Sequence, residues 1–280
     1  MDKEWFENRS LFIATKHQKE TVIAPKLFES FGIKSIVSSN FDTDQFGMFT
    51  GQIKREISPY DTAKRKCDLA RDQFGYDLVL ASEGSFFMQY GFIRVNHELL
   101  LLKDYLNEIE IIADVTSQET NFNQKKIKII SELHDFLTSI NFPKNAVILS
   151  FYEEEEKKFF KDISQISQLE KIVKDKLESG IEVYIETDMR AMNNPIRMKV
   201  ISEAADKMIS KMQSNCPHCY YPGFSVYSYE KGLPCEICNF PTNAILIEIY
   251  KCKNCDYQKK VEFPHGKKYQ EAMFCDVCNP

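Results

Sequence analysis

Hydrophobic and polar positions change period several times along this chain, and each change marks an element. The apolar run Leu11-Phe12-Ile13-Ala14, within Ser10 to Thr15, has the length of a buried strand. Val22, Ile23, Leu27, Phe28 and Phe31 then recur at helical spacing, with Pro25 suited to the helix start and Gly32 to its stop. Ile33 to Val37 predicts a second strand. From Asn40 to Gly51 the chain is too polar and glycine-punctuated for a core element and reads as turns. Ser58-Pro59 supplies an N-cap and a proline at the first helical position. The helix it opens turns Ala63, Cys67 and Ala70 inward and leaves Lys64, Arg65 and Lys66 for solvent or ligand. Leu78 to Ala81 reads as a strand that stops at Ser82-Glu83-Gly84-Ser85.

Strand-like runs follow at Phe92 to Val95, Leu99 to Leu102 and Glu108 to Val115. The pattern then predicts a helix from Lys126 to Ile140, a strand from Ala146 to Phe151, a charged loop from Glu153 to Lys158 and a helix from Ser164 to Ser179. A strand from Ile181 to Glu186 and a helix from Pro195 to Gln213 complete this part. Strands alternating with helices predict an α/β fold, a mixed sheet with flanking helices. The division is expected near Gln213 to Asn215: residues 1–213 as an α/β domain for ligand or catalysis, residues 214–280 as a small cysteine-rich module.

Composition narrows the class. Hydrophobic residues are 43% and charged residues 28%, which suits a globular chain with a real core. The net charge of -5 lacks the basic surplus usual for a protein that lives on a nucleic-acid backbone. The apolar stretches are strand-sized, so no membrane span is expected. The charged start Met1-Asp2-Lys3-Glu4 has no apolar run like that of a secretory signal. A soluble, cytoplasmic protein is expected.

Eight of the nine cysteines stand in four C-x-x-C pairs: Cys216/Cys219, Cys235/Cys238, Cys252/Cys255 and Cys275/Cys278. Pairs at this spacing grip a metal from a tight knuckle, and two pairs complete a tetrahedral site. Eight thiolates predict two closed, structural zinc sites, the core of a zinc ribbon. Sequential pairing, first with second and third with fourth, is the simplest arrangement; interleaved pairing is its rival. Ala244 to Tyr250 and Tyr257 to Phe263 predict a hairpin around the third knuckle. Seven lysines between Ser214 and Pro280 are balanced by seven acidic residues, so the module is no electrostatic match for phosphate backbone. Tyr220, Tyr221, Phe224, Tyr227 and Tyr229 can stack bases, or replace a core in a domain this small.

Polar residues gather where predicted strands end: Thr15-Lys16-His17-Gln18-Lys19-Glu20, Ser82-Glu83-Gly84-Ser85 and Asp188-Met189-Arg190. Ligands bind beyond the carboxyl ends of strands in open α/β sheets. Together with Asn40-Phe41-Asp42-Thr43-Asp44 through Gly51, these segments carry a resemblance. ATKHxKE, FDTDxFGxFTG, ASEGSF, TDMRAMxNPxRM and a cysteine ribbon ending CNP resemble a bacterial family known only as a domain of unknown function. The resemblance spans nearly the whole chain and implies no activity. Gln52 stands where that family leads one to expect Glu, and Phe87-Met88-Gln89 where it leads one to expect Gly-Pro-His. A weaker likeness, Ala-Thr, then Lys, Thr-Gly, Ala-Lys-Arg-Lys and an acidic-Gly turn, is similar to the inosine-triphosphate pyrophosphatase superfamily. That likeness implies Mg²⁺-dependent hydrolysis of a nucleoside triphosphate. In that superfamily the lysine falls five residues after the threonine; here Lys19 is four after Thr15.

Phosphoanhydride cleavage needs charge neutralisation and positioning. Asp42, Asp44 and Glu83 are the candidate catalytic carboxylates, able to hold Mg²⁺ or orient water. Thr15, Lys16, His17, Lys19, Arg55 and Lys64 are the candidate phosphate or ligand contacts, with Asp188, Arg190 and Arg197 closing from the last helix. The plainer alternatives are turn residues for Asp42 and Asp44, a solvated helix face for Lys64, and an ion pair for Asp188 and Arg190. A non-enzymatic sensor or adaptor, its ribbon contacting protein or nucleic acid, is the rival function.

Overall fold

The structure, a computed structural model, describes residues 4–41 and 57–280. The run from Leu11 to Ala14 is buried throughout, as strand β1 (Ser10–Ala14). It lies between two parallel neighbours, β2 (Lys34–Ile36) and β3 (Leu78–Gln89). A strand in that place has both faces covered, which is why its sequence is apolar without alternation. Helix α1 (Glu20–Phe31) buries Ile23, Leu27 and Phe31 and stops at Gly32, whose φ of 63° closes the C-cap onto Phe28. Pro25 sits inside this helix, not at its start, and Phe28 falls outside the buried stripe at 62% exposure.

Helix α2 (Pro59–Phe74) is capped by Ser58, whose hydroxyl accepts from the Asp61 amide. It packs Ala63, Cys67 and Ala70 against Phe12, Val79, Ala81 and Leu101. β4 (Ile93–Asp104) and β5 (Ile109–Ser117) extend the sheet antiparallel, giving the order β2-β1-β3-β4-β5. From β1 the chain runs to one side for β2, then crosses to the other side for β3. The end of β1 is therefore the topological switch point, where α/β sheets open a crevice.

β3 does not stop at Ser82. It continues to Gln89 because β4 pairs with it along its whole length, from Leu78↔Asp104 to Gln89↔Ile93. Glu83 thus sits in mid-strand opposite Leu99, and Gly84 opposite Glu98. A four-stranded antiparallel sheet follows in the order β6-β9-β7-β8. Its strands are β6 (Gln124–Ile127), β7 (Val147–Glu153), β8 (Glu156–Phe160) and β9 (Val183–Thr187). Helices α3 (Ile130–Ser139) and α4 (Ile166–Glu178) cover one face around Leu133, Leu149, Leu169 and Val183.

Two sequence expectations change here. The helix expected from Lys126 begins only at Ile130, because Ile127 enters the sheet's core as the last residue of β6. The charged loop expected over Glu153 to Lys158 is a tight hairpin. Glu154 and Glu155 turn it with φ of 49° and 68°, and β8 is a charged edge strand.

The chain divides into two compact units, Phe6–Met208 and Ile209–Pro280 with Met1–Trp5, the division falling within helix α5 (Pro195–Gln213). The second unit holds β10 (Ser225–Lys231), β11 (Ile245–Lys251) and β12 (Gln258–Glu262), an antiparallel sheet in that order. Trp5 belongs to it: its ring N–H donates to the Tyr220 carbonyl at 3.0 Å and its ring meets Tyr221 edge-on. Among the described residues no helix is long and apolar enough to cross a membrane.

Within the larger unit, one wholly buried ion pair joins α5 to β4. Arg197 Nε donates to Glu98 Oε1 at 2.6 Å and Nη2 to Oε2 at 3.2 Å, while Nη1 donates to the Met189 carbonyl. Phe86 lies 5.2 Å from the guanidinium. Gly84 makes the room: a Cβ there would meet Arg197 Nη2 at 2.3 Å and the Glu98 carboxylate at 2.7 Å. Removing one member of such a pair leaves a buried charge uncompensated. Glu98→Gln or Arg197→Met alone should each destabilise the protein by about 3–5 kcal/mol. The double variant Glu98→Leu with Arg197→Met should recover most of that loss in urea unfolding, because replacing both charges by apolar groups of similar size is close to neutral.

Candidate functional site

The loop that leaves β1 is built to hold backbone in unusual conformations. His17 and Gln18 have φ of 68° and 59°, a left-handed pair without glycine. Such residues are uncommon and persist where the surroundings impose them, often beside a ligand. The loop runs into an α1 start that no side chain caps, the Thr21 and Val22 amides donating instead to the Gln18 and Lys19 carbonyls at 3.1 and 3.3 Å. Thr15, Lys16, His17 and Gln18 form one wall of a cleft of about 390 Å³, and Ser38 and Ser39 beyond β2 form the other. Lys16 is exposed on this cleft, and Thr15 donates through Oγ1 to the Lys16 carbonyl at 3.1 Å.

Lys19 points the other way. It is 6% exposed, and its Nζ donates to Ser82 Oγ at 3.1 Å and the Ser82 carbonyl at 3.4 Å. Burial pulls its pKa down to about 7, with Arg197 and Lys66 acting in the same sense against Glu98 and Glu83. Lys66, expected on a solvated helix face, is buried and ion-paired with Glu83. It follows the buried stripe of Thr62, Ala63 and Cys67 on α2, whereas Lys64 is exposed.

Asp188 and Arg190 form the ion pair that sequence offered as the plainer alternative. Asp188 is 0% exposed and accepts from the Arg190 amide at 2.9 Å, from its guanidinium and from Asn193. Arg190 also reaches Asp162 at 2.7 Å, and these partners raise its pKa against the burial that lowers it. Arg197 is engaged by Glu98. The structure therefore gathers Thr15, Lys16 and His17 at one cleft, with Lys19 and the Glu83–Lys66 pair buried, and spends Asp188, Arg190 and Arg197 on internal pairs. Asp42, Asp44 and Arg55 lie outside the described residues. Glu98 was not among the candidates read from sequence, and Ser82 entered only as part of an expected turn. Their signal was parity: Glu98 shares a strand face with Leu100 and Leu102, and Ser82 with Leu78 and Leu80, so each was bound to face a core.

In the second unit the eight cysteines gather as Cys216, Cys219, Cys252, Cys255 and as Cys235, Cys238, Cys275, Cys278. The pairing is interleaved, which corrects the simpler sequential expectation. The sheet dictates it. Ser225 of β10 pairs with Lys251 of β11, so the first and third knuckles share one end. The second and fourth knuckles lie beyond the other end, past Lys231 and Glu262. Seven residues of β10, about 23 Å of strand, separate the first knuckle from the second.

Each of the first three knuckles turns through a left-handed residue, Tyr220, Asn239 and Asp256. The amides of His218, Ile237 and Asn254 donate to Cys216, Cys235 and Cys252 Sγ at 3.4 to 3.5 Å. Cross-knuckle sulfurs are 3.6 to 3.8 Å apart. That equals the edge, about 3.8 Å, of a tetrahedron with metal–sulfur bonds near 2.3 Å. The donor set and spacing fit a closed four-thiolate metal site at each end. His218 stacks on Tyr257, 6.0 Å between ring centres, and is not one of either set. Phe224 and Tyr221 pack around the first cluster; Tyr220, Tyr227 and Tyr229 stand in solvent.

A family model described as a domain of unknown function (DUF6671) matches residues 66–280, and the chain belongs to that family. No curated protein and no solved structure matches the chain.

Two measurements follow from this geometry. Metal analysis of the purified protein should show one ion lost in Cys216→Ser combined with Cys252→Ser, and two lost in Cys216→Ser combined with Cys235→Ser; sequential pairing gives the reverse. Lys19 binds its proton near pH 7 when folded and near pH 10.4 when unfolded. Between those values the unfolded chain holds more protons, so stability rises with pH. Urea midpoints of the wild type should therefore rise relative to those of Lys19→Met as pH climbs from about 7 to about 10.

Proposed function

We propose that this member of the family binds a phosphorylated, nucleotide-like small molecule in the crevice beyond β1 and β2 and hydrolyses its phosphoanhydride bond. The observation that carries the reading is the Thr15–Lys19 loop. At the switch point of the sheet it combines two left-handed residues, an uncapped helix start and an exposed lysine around one cleft. The positive end of a helix with an exposed lysine beside it suits a phosphate. The likeness of the Thr15 loop to the inosine-triphosphate pyrophosphatase superfamily supports the same class of ligand.

Hydrolysis of this kind draws on a divalent cation, with Mg²⁺ the expected one. Its ligands would be Asp42, Asp44 and Glu83. The described carboxylates do not by themselves make that site, since Glu83 is ion-paired to Lys66 and the metal-type clusters among the described residues are the two cysteine sets. That engagement favours a second reading, in which the unit senses its ligand without turnover.

In the smaller unit the metal is zinc, two ions in structural sites: four thiolates at tetrahedral spacing leave no position open for substrate. Eight reduced thiolates suit the cytoplasm. The balance of lysines and acidic residues there, with four thiolates around each divalent ion, favours a protein over a nucleic acid as any partner of the ribbon.

A panel of nucleoside phosphates with Mg²⁺ and Mn²⁺, scored for phosphate and pyrophosphate release, separates the two readings. Turnover that falls about a hundredfold or more in Glu83→Gln establishes the hydrolase. Saturable binding without turnover, weakened in Lys16→Ala, establishes the sensor. Neither binding nor turnover removes the phosphate reading altogether.

A further inference from the structure

The four-stranded sheet of the larger unit carries a second cavity, on the face away from its helices. α3 and α4 cover the side that holds Val147, Leu149, Val183 and Ile185. Alternation sends Ser150, Tyr184 and Glu186 to the other side. Strand pairing lines up Lys126, Tyr184, Ser150 and Phe159 across all four strands. Here Gln124, Lys126, Ser150, Lys157, Tyr184 and Glu186 line about 370 Å³ of space, within the usual size range of small-molecule sites. None of these residues belongs to the crevice beyond β1.

Two polar groups on this wall lack partners. Ser150 is only 4% exposed and Glu186 is half-buried. Neither the hydroxyl nor the carboxylate makes a hydrogen bond or ion pair among the described residues. Burial holds the Glu186 carboxyl above the usual range, against the pull of Lys157 and Lys161 and with the push of Asp188. Buried polar groups are normally paired, so a hydroxyl and a carboxylate left open toward a cavity ask for a ligand that brings donors.

The rest of the wall says what else that ligand carries. The Tyr184 ring is held in place: its hydroxyl donates to Glu182 at 2.9 Å, and the same Glu182 is ion-paired to Lys126. The Lys126 ammonium is 6.0 Å from the ring centre, and the exposed Lys157 is 5.1 Å from the ring of Phe159. A fixed aromatic face suits a planar heterocycle, a carboxylate accepts from an exocyclic amino group, and lysines take phosphate as point charges.

We propose that this cavity binds a nucleoside phosphate with an amino-bearing base, adenine or cytosine. The base lies on Tyr184, its amino edge meets Glu186 and Ser150, and its phosphate falls to Lys157 and Lys126. The local arrangement takes one small anion, which is compatible with a chain whose net charge is -5.

The test is calorimetric titration of AMP, CMP and UMP, made in the Lys16→Ala background, where the crevice beyond β1 binds more weakly and a site that answers to Glu186 and Tyr184 is told apart from it. AMP and CMP should bind saturably, with UMP about tenfold weaker. Glu186→Gln and Tyr184→Ala should each weaken AMP about tenfold, and Tyr184→Phe should keep it. Thermal unfolding of each variant checks the fold, and Glu186→Gln preserves shape. Tighter binding of an oligoadenylate with the same variant pattern makes the end of a strand the source of the nucleotide; equal or weaker binding makes it the free nucleotide. No saturable AMP binding at about 1 mM, the weak end of specific affinity, overturns the proposal. So does AMP binding that survives both Glu186→Gln and Tyr184→Ala.

Discussion

The larger unit depends on one buried ion pair. Arg197 and Glu98 are both fully shielded from water, and taking two charges out of solvent is tolerable only when every charged atom finds a partner. Both oxygens of Glu98 accept from the guanidinium, a third nitrogen donates to the Met189 carbonyl, and the Arg197 amide donates to Asn194 Oδ1 at 3.0 Å. The interaction fixes more than two residues. It ties the first turn of α5 and the turn after β9, at the end of one sheet, to β4 in the other. It also requires Gly84 on β3, since the space of a side chain there is taken by the pair.

The electrostatics of the crevice follow from that pair. Lys19 lies close enough to Arg197 to feel its charge, and being buried it already favours its neutral form. Its amine, aimed at Ser82, is therefore an adjustable group near neutral pH and not a permanent cation. The charged side chains on the cleft itself are Lys16, which water reaches, and Glu20. Glu83 and Lys66 neutralise each other behind the loop. A phosphate entering the cleft would meet the solvated Lys16 at the start of α1, with Glu20 of the first turn also on the lining and acting against it.

How much of this was legible from sequence depended on whether local pattern or tertiary pairing decided the outcome. β1, α2 with its Ser58 cap, and α5 from Pro195 to Gln213 were readable, because apolar period and capping chemistry are local. The same holds for the two strands flanking the third knuckle. β3 was read too short because Ser82, Glu83 and Gly84 look like a turn; they remain in strand because Glu98, Lys19 and Lys66 satisfy them from elsewhere. β6 was read as helix since four residues cannot reveal their period when Lys125 and Lys126 precede an apolar run. The acidic stretch after Phe151 hid a hairpin, because an exposed edge strand may be as charged as a loop. Of the proposed contacts, Lys16 and His17 reach the cleft, whereas Arg197 is drawn inward by Glu98, a residue whose parity alone marked it as core-facing.

The smaller unit shows the opposite balance between core and constraint. Every residue of β11 is only partly buried, and the apolar cluster beside it amounts to Phe224 with three tyrosines and the cysteines of one site. A sheet with so little to bury does not hold its register by hydrophobic contact alone. Placing four-thiolate sites at both ends solves this, because each site joins two knuckles that belong to different connections. The first closes the entry to β10 onto the turn between β11 and β12; the second closes the connection from β10 to β11 onto the tail after β12. Sequential pairing would have tied neighbours already joined by a short chain and left the sheet's two ends open. Interleaving lets metals held at the two sites span the sheet, so that register, turn geometry and metal loading would form one cooperative property, and stripping either ion should loosen all three strands together.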